Sequence, residues 1–173
     1  MSGIIIYKSK YGATKKYAEW LSEATGYKCV TVKNADINEA ANCDVIILGG
    51  GIYAGGISCT PFLKKNIGRL KGKKIIVFTC GASPYDKGFM DELEKMNMKD
   101  ELAGIPVYYC RGAVSMKDMS FKDRTLCKML QKSLSKKDPK DYAVWESALM
   151  ECSEQVTRDW TDKSYIEQIL KAI

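Results

Sequence analysis

Histidine is missing altogether from the 173-residue chain. Its absence excludes Ser-His-Asp and Cys-His nucleophile systems and most zinc sites. No side chain of ordinary kind then titrates near neutrality, which directs any chemistry toward a borrowed cofactor. Long apolar runs are missing too. The longest, such as Val45-Ile46-Ile47-Leu48 and Ile75-Ile76-Val77-Phe78, are strand-sized, against the roughly 20 residues that span a bilayer. The N-terminus lacks a basic region followed by a long apolar stretch and a small-residue cleavage site, so a chain without a signal peptide is expected. The expected location is cytoplasmic, extending at most to the periphery of the inner membrane face. C-x-x-C spacing is also absent. The seven cysteines (29, 43, 59, 80, 110, 127 and 152) are scattered and odd in number, and in a cytosolic chain they read as reduced thiols, several of them small core residues. No metal site is expected.

Further absences remove whole classes. No G-x-x-x-x-G-K-[ST] occurs, which argues against a P-loop nucleotidase. A response-regulator receiver needs acidic residues at the ends of its first and third strands, where this chain has Lys8-Ser9 and Gly49-Gly50. Cys152-x5-Arg158 has the bare spacing of a cysteine phosphatase loop, but it has no glycine and carries Glu154 where a phosphate dianion would sit. No internal repeat or low-complexity segment appears.

What is present alternates. Short continuous apolar runs at 3–8, 44–49, 73–79 and 105–110 read as buried parallel strands, and Lys28-Cys29-Val30-Thr31-Val32 as a weaker edge strand. Helical patterns lie between them. Residues 14–25 place Tyr17, Ala18, Leu21 and Ala24 on one face, with Gly26 as the stop. Residues 60–70 begin with Pro61, and residues 86–97 carry Phe89, Met90, Leu93 and Met96. A last helix, about 162–172, shows Tyr165, Ile166, Ile169 and Leu170 with Thr161 or Asp162 as N-cap. Five such alternations predict an α/β, doubly wound, five-stranded parallel sheet in the order 2-1-3-4-5, with helices on both faces. The chain is long enough for one domain, 1–173, and too short for two comfortable ones. In open sheets of this kind ligands bind outside the carboxyl ends of the strands, here at the switch between strands 1 and 3.

Three loops fall on that edge. The first, Ser9-Lys10-Tyr11-Gly12-Ala13-Thr14, sits on the N-terminus of the first helix, where unpaired N–H groups and partial positive charge favour phosphate. Gly12 lets the backbone turn inward, the Ser9 and Thr14 hydroxyls add donors, and Lys10, Lys15 and Lys16 add positive field. The same residues also read as no more than an N-cap Thr14 and a turn glycine. The second loop, "GGGIYAGGIS" at 49–58, has five glycines in its first eight positions, a costly choice in chain entropy that suits close approach to a flat ligand. Gly50, Gly51, Ile52, Tyr53, Ala54 and Gly55 are its candidate contacts, with Tyr53 a natural stacking partner for a ring. Gly49-x-Gly51-x-x-Ala54 formally matches a dinucleotide fingerprint, but Gly55, Gly56 and Pro61 delay the helix that must follow. The third loop, 79–88, offers Thr79, Cys80, Gly81, Ala82 and Tyr85. Tyr85 is a candidate for a second ring face, and Cys80 reads either as a ligand neighbour or as a strand-end core residue. Together the loops call for a ligand with a phosphate and a planar ring.

Over nearly its whole length the chain resembles the flavodoxin-like family of FMN proteins. "SKYGAT" resembles that family's Ser/Thr-x-Thr-Gly-x-Thr phosphate loop, with Tyr11 where a threonine is usual, so that one hydroxyl donor is lost. The resemblance implies FMN as cofactor, with residues 9–14 on its phosphate and residues 50–55 and 79–85 on its isoalloxazine. A closer likeness, carried by "YKSKYGATKKYA", "CDVIILGGGIYAGGISCTPFLKKN", "GIPVYYCRGAV" and "WTDKSYIEQIL", is to the flavodoxin-type, quinone-dependent protoporphyrinogen oxidases and their relatives.

The last helix is preceded by an insertion at about 111–160. Between Ser115 and Lys140 it carries eight Lys/Arg against three Asp, a surplus of five out of the chain's formal +6. Leu126, Met129, Leu130 and Leu134 fall on one helical face there. A basic, Met-rich amphipathic stretch suits an anionic membrane surface, an acidic partner or the carboxylates of a porphyrinogen, or it is simply a solvated helix packed on the sheet edge. Nucleic acid is not expected, since no aromatic-interleaved basic motif accompanies the charge. Three functions follow as expectations. One is an FMN-dependent oxidoreductase, protoporphyrinogen-oxidase-like, with a quinone or redox protein as partner. The second is an electron shuttle without a substrate of its own, and the third a flavin-free interaction module. The chemistry is expected from the flavin, with no catalytic side chain.

Overall fold

Ile4, Ile5 and Ile6 are wholly buried at the centre of a parallel sheet, and their alternation divides the core in two. In the computed structural model, which describes residues 1–173, the chain runs β1 (Gly3–Lys8), α1 (Ala13–Thr25), β2 (Lys28–Thr31), α2 (Ile37–Ala41), β3 (Val45–Tyr53), β4 (Gly56–Ile57), α3 (Thr60–Asn66), β5 (Lys74–Gly81), α4 (Lys87–Asn97), β6 (Val107–Arg111), β7 (Ala113–Val114), α5 (Phe121–Leu134), α6 (Val144–Met150), β8 (Arg158–Asp159) and α7 (Ser164–Lys171). The sheet order is β2-β1-β3-β5-β6, with β4 added antiparallel to β3. Counted along the five main strands this is the expected 2-1-3-4-5.

Ile4, Ile6, Ile46, Leu48 and Val77 face Leu63, Met90 and Leu93 of α3 and α4. Ile5, Ile47, Ile76 and Phe78 face Tyr17, Ala18 and Leu21 of α1 and Ile166 and Ile169 of α7. Strands covered on both faces must be apolar at every position, which is why they read as continuous runs. Each such side chain contributes about 1.5–3 kcal/mol by leaving water. Local signals agree with the packing: Gly26 closes α1, and the Asp86 carboxylate caps α4 by accepting from Phe89 N at 2.6 Å. At α7 the Asp162 carboxylate accepts from Ser164 N, whereas Thr161 is bonded to Asp159 and Lys16. Ala24 and Met96, expected on buried faces, are exposed.

One boundary differs in a way that matters. Gly49 and Gly50 are not loop residues; β3 continues through them to Tyr53, pairing with β1 and β5. A Cβ on Gly49 would lie 2.2 Å from the Phe78 ring, and one on Gly50 would lie 2.7 Å from Cys59 N. Packing demands these glycines. The loop shrinks to Ala54-Gly55, whose φ values of 49° and 77° make a two-residue hairpin turn of the primed kind. Between β6 and α7, the segment 112–163 folds as α5 and α6 bracketed by a β7–β8 ribbon. No helix is long and apolar enough to cross a membrane.

Candidate functional site

A cleft of about 650 Å³ opens at the carboxyl ends of β1, β3 and β5, where the switch in strand order places it. Its floor begins at α1. Gly12, at φ 100°, turns the chain into the helix and donates its N–H to Ser9 Oγ at 3.1 Å, and no side chain caps the helix. The first-turn N–H groups behind Gly12 therefore face the cleft without a side-chain acceptor. Ser9, Ala13 and Thr14 line this end. The expected N-cap, Thr14, lies inside the helix instead and is buried.

The opposite walls come from strand ends. Gly51, Ile52 and Tyr53 of β3 lie beside Cys80, Gly81 and Ala82 of the neighbouring β5 and its following turn. The only protein atom within 4 Å of a Cβ on Gly51 would be Thr14 Oγ1 at 3.6 Å, so nothing in the fold forbids a side chain there. Its absence leaves the cleft clear. Gly81 is different: a Cβ would sit 2.8 Å from the Tyr109 hydroxyl, which donates to Ser83 O at 2.5 Å and pins the turn. Cys80 is a buried strand-end residue and also part of the cleft wall. Burial pushes its thiol up to about 12, offset partly by a hydrogen bond from Thr14, so it stays protonated at neutral pH.

Six candidates do not line the cleft. Gly12 shapes it from behind, Gly50 and Thr79 lie within the sheet with the Thr79 hydroxyl donating to Gly50 O at 2.9 Å, and Ala54 and Gly55 form the hairpin tip. Tyr85, expected over a ring face, is not among the residues lining the cleft; it is 58 % exposed and edge-on to Tyr109. The lysines also differ from expectation. Lys10, Lys15 and Lys16 each pair with a carboxylate, those of Asp123, Glu19 and Asp159. Positive field at this end therefore rests on the helix terminus and on Lys8, which lines the cleft and has no ion-pair partner.

The fourth wall was not anticipated. Val114, Met119, Leu126 and Cys127, from β7 through α5, close the cleft from the side of the insertion. What holds them there is Asp123. Its carboxylate accepts from Lys10 Nζ at 2.5 Å, from the Tyr11 hydroxyl and from the Tyr53 hydroxyl at 2.8 Å. Lys10 also lies over the Tyr53 ring, 4.6 Å from its centroid. Lys10 first, then Tyr11 and Tyr53, hold the Asp123 carboxyl down to about 2. Tyr11 therefore has an observed role: its hydroxyl ties the insertion to the first loop. The Ser120-x-x-Asp123 spacing is legible as a helix cap, and Ser120 Oγ does accept from Asp123 N at 3.2 Å. Nothing local signals that the Asp123 side chain reaches residues 113 positions away.

Residues 4–142 match the family model of a flavodoxin domain. Among solved structures the chain is similar to Megasphaera elsdenii flavodoxin in its two-electron reduced form, at 22% identity and a TM-score of 0.44, covering 62% of this chain and 82% of that one. It is similar to the Trp repressor binding protein of Bacillus subtilis at 14% identity and 0.48, over 65% and 83% of the two chains. It is also similar to a Lactobacillus acidophilus flavoprotein in complex with FMN, at 15% identity and 0.44, over 64% and 91%. No protein of curated function matches it.

Proposed function

This chain belongs to the flavodoxin domain family, and from that premise we propose that its cleft holds FMN and uses it to dehydrogenate a second ligand, protoporphyrinogen-oxidase-like, with a quinone as acceptor. The observation that carries the cofactor is the side-chain-free floor of the cleft: an uncapped helix terminus at Gly12 and an open Gly51 facing it. A terminal phosphate fits the first, since unpaired N–H groups and the helix dipole favour an anion. A flat ring fits beside the second, where a side chain would fill the space. Ser9, Ala13 and Thr14 would hold the phosphate, and Tyr53, Gly81 and Ala82 would flank the ring.

FMN, when bound, supplies the two-electron chemistry. The chain supplies position and surroundings. Cys80, kept as a thiol, presents a neutral surface, and Asp123, ionised in its clasp, fixes Tyr53 by its hydroxyl. Support for a substrate beyond the flavin comes from the fourth wall: a simple carrier needs only the three sheet-edge loops, yet Met119, Leu126 and Cys127 extend the cleft past them.

The test begins with flavin-free protein titrated with FMN, following loss of flavin fluorescence. One-to-one binding at micromolar concentration, weakened by Thr14→Ala, is expected, and no binding sinks the proposal. Anaerobic oxidation of a porphyrinogen by the loaded protein with added quinone then decides the finer assignment. Flavin reduction by a partner protein without porphyrinogen turnover would leave an electron carrier.

A further inference from the structure

A helix on a protein surface normally turns its apolar stripe inward and its polar face to water. α5 does the reverse. Asp123, its one acidic residue, is only 4 % exposed, whereas Phe121 is 85 % and Met129 65 % exposed, with Leu126 and Leu130 also standing out. Of the apolar face expected from the sequence, Leu134 alone is buried. Polar bonds produce the reversal. On the inward side Asp123 sits in its clasp, and Arg124 donates to the carbonyls of Met116, Lys117 and Met119 at 2.8–3.1 Å. Farther along, Gln131 Nε2 donates to Leu149 O and Cys152 O, both at 2.8 Å. These bonds fix the roll of the helix, so Phe121, Met129 and Leu130 face out, with Leu126 half-exposed at the cleft rim.

At 3.6 residues per turn Met129, Leu126 and Leu130 form one outward arc that also contains Lys122, Lys132 lies along its edge, and Lys136 is exposed in the turn just past the helix end. Lys122, Lys132 and Lys136 have no ion-pair partner, while Lys128 is paired with Glu154. The three acidic groups of the segment face elsewhere: Asp118 accepts from the Ser115 hydroxyl, Asp123 is in the clasp, and Asp138 caps a turn through Lys140 N. The outward face is thus apolar and cationic, with no carboxylate of its own.

We propose that this face of α5 docks on an anionic lipid bilayer, the helix lying in the plane of the interface. The surface is convex, a row of separate side chains on one helix, and acyl chains accept such side chains without a matching groove while lysines reach the headgroups. A second copy of the chain would set lysine against lysine, so charge disfavours self-association through this face. Docking brings the cleft rim to the lipid surface, since Leu126 belongs to both. The proposal does not depend on what fills the cleft.

The experiment is flotation of the purified full chain with vesicles of phosphatidylcholine alone and of phosphatidylcholine with phosphatidylglycerol. The chain should float with the anionic vesicles and not with the neutral ones. Replacing Lys122, Lys132 and Lys136 by serine should weaken this about 100-fold, at about 1 kcal/mol for each lysine at an anionic surface. Phe121→Ser with Met129→Ser should weaken it by at least about tenfold through lost apolar burial. Both variants alter exposed side chains, and unchanged thermal unfolding checks their fold. FMN titration of the same samples reads the cofactor separately. Failure to float, or flotation indifferent to the Phe121/Met129 pair, overturns the proposal. So does a concentration-dependent dimer in sedimentation that Met129→Ser abolishes, which would make a second copy the occupant. Capture by an acidic polypeptide that depends on the Phe121/Met129 pair, without flotation, would make it an acidic protein.

Discussion

The sheet and α5 are built from the same kinds of residue in opposite orientation. In the sheet, Ile5, Ile47 and Phe78 are wholly buried, and the one polar side chain wholly buried among the strands, Thr79, is bonded to Gly50 O. In α5 a carboxylate is inside and four large apolar residues are outside. Removal of apolar surface from water therefore orders the first region, and a small set of aimed hydrogen bonds orders the second. The two should differ in what breaks them.

The largest effect is expected in the sheet. Ile5→Ala should lower unfolding free energy by about 2–5 kcal/mol, whereas Met129→Ala in α5 should change it by no more than about 0.5 kcal/mol. Urea unfolding measures both, and a substantial loss in the second would mean that Met129 is packed. Next come the glycines of β3, where the comparison sharpens within one strand. Gly51→Val should weaken FMN binding about tenfold to 100-fold while leaving stability nearly intact, because its side chain enters the cleft at the scale of a 1–3 kcal/mol steric penalty. Gly50→Ala should do the opposite, destabilising the fold by a similar amount through its clash with Cys59 N. Fluorescence titration and urea unfolding on both variants separate a glycine kept for a ligand from one kept for packing.

α5 should yield to loss of a single polar group. Asp123→Asn removes the charge that Lys10, Tyr11 and Tyr53 share, and limited proteolysis within 115–140 should become about tenfold faster at neutral pH. The pH dependence has a definite sign. The folded carboxyl, at about 2, lies below its ordinary 3.8, so it stabilises the docked helix at any pH above about 4 and ceases to do so as pH falls toward 2. Cleavage by an acid protease should then be faster in the variant than in the wild type at about pH 4, with the ratio approaching one near pH 2. A ratio constant across that range would show that the Asp123 charge does not hold the helix.

The same contrast accounts for what the sequence could reveal. The strands were legible because a doubly covered strand is nearly continuous in apolar residues, and their parallel arrangement followed from alternating strands and helices. The first loop was legible because Ser9, Gly12 and Thr14 are close in sequence and meet locally. Gly49 and Gly50 misled because a glycine required by a neighbouring Phe78 ring or Cys59 backbone looks the same as one in a loop. The placement of Tyr85 outside the cleft lining was not legible, because nothing local fixes the direction of a turn side chain. Asp123 was invisible as a site residue, since its partners belong to β3 and the β1–α1 loop, far away in the chain. The sign of α5 was lost for the same reason: periodicity finds an apolar face but does not say which way it is turned.

A small gain in stability tests the hairpin tip that the glycine-rich stretch turned out to contain. Ala54 holds φ 49° opposite Gly55 in a two-residue turn, a conformation in which a Cβ is crowded by its own carbonyl. Asparagine tolerates that region through its short polar side chain and is favoured at this position of primed turns. Glycine would remove the crowding but also loosen the unfolded chain, which offsets part of the gain. Ala54→Asn should therefore raise stability by about 0.5–1 kcal/mol in urea unfolding. FMN affinity should not move, because Ala54 does not line the cleft. A stabilisation accompanied by altered FMN binding would instead make the hairpin tip part of the site, extending the cleft along β3 beyond Tyr53.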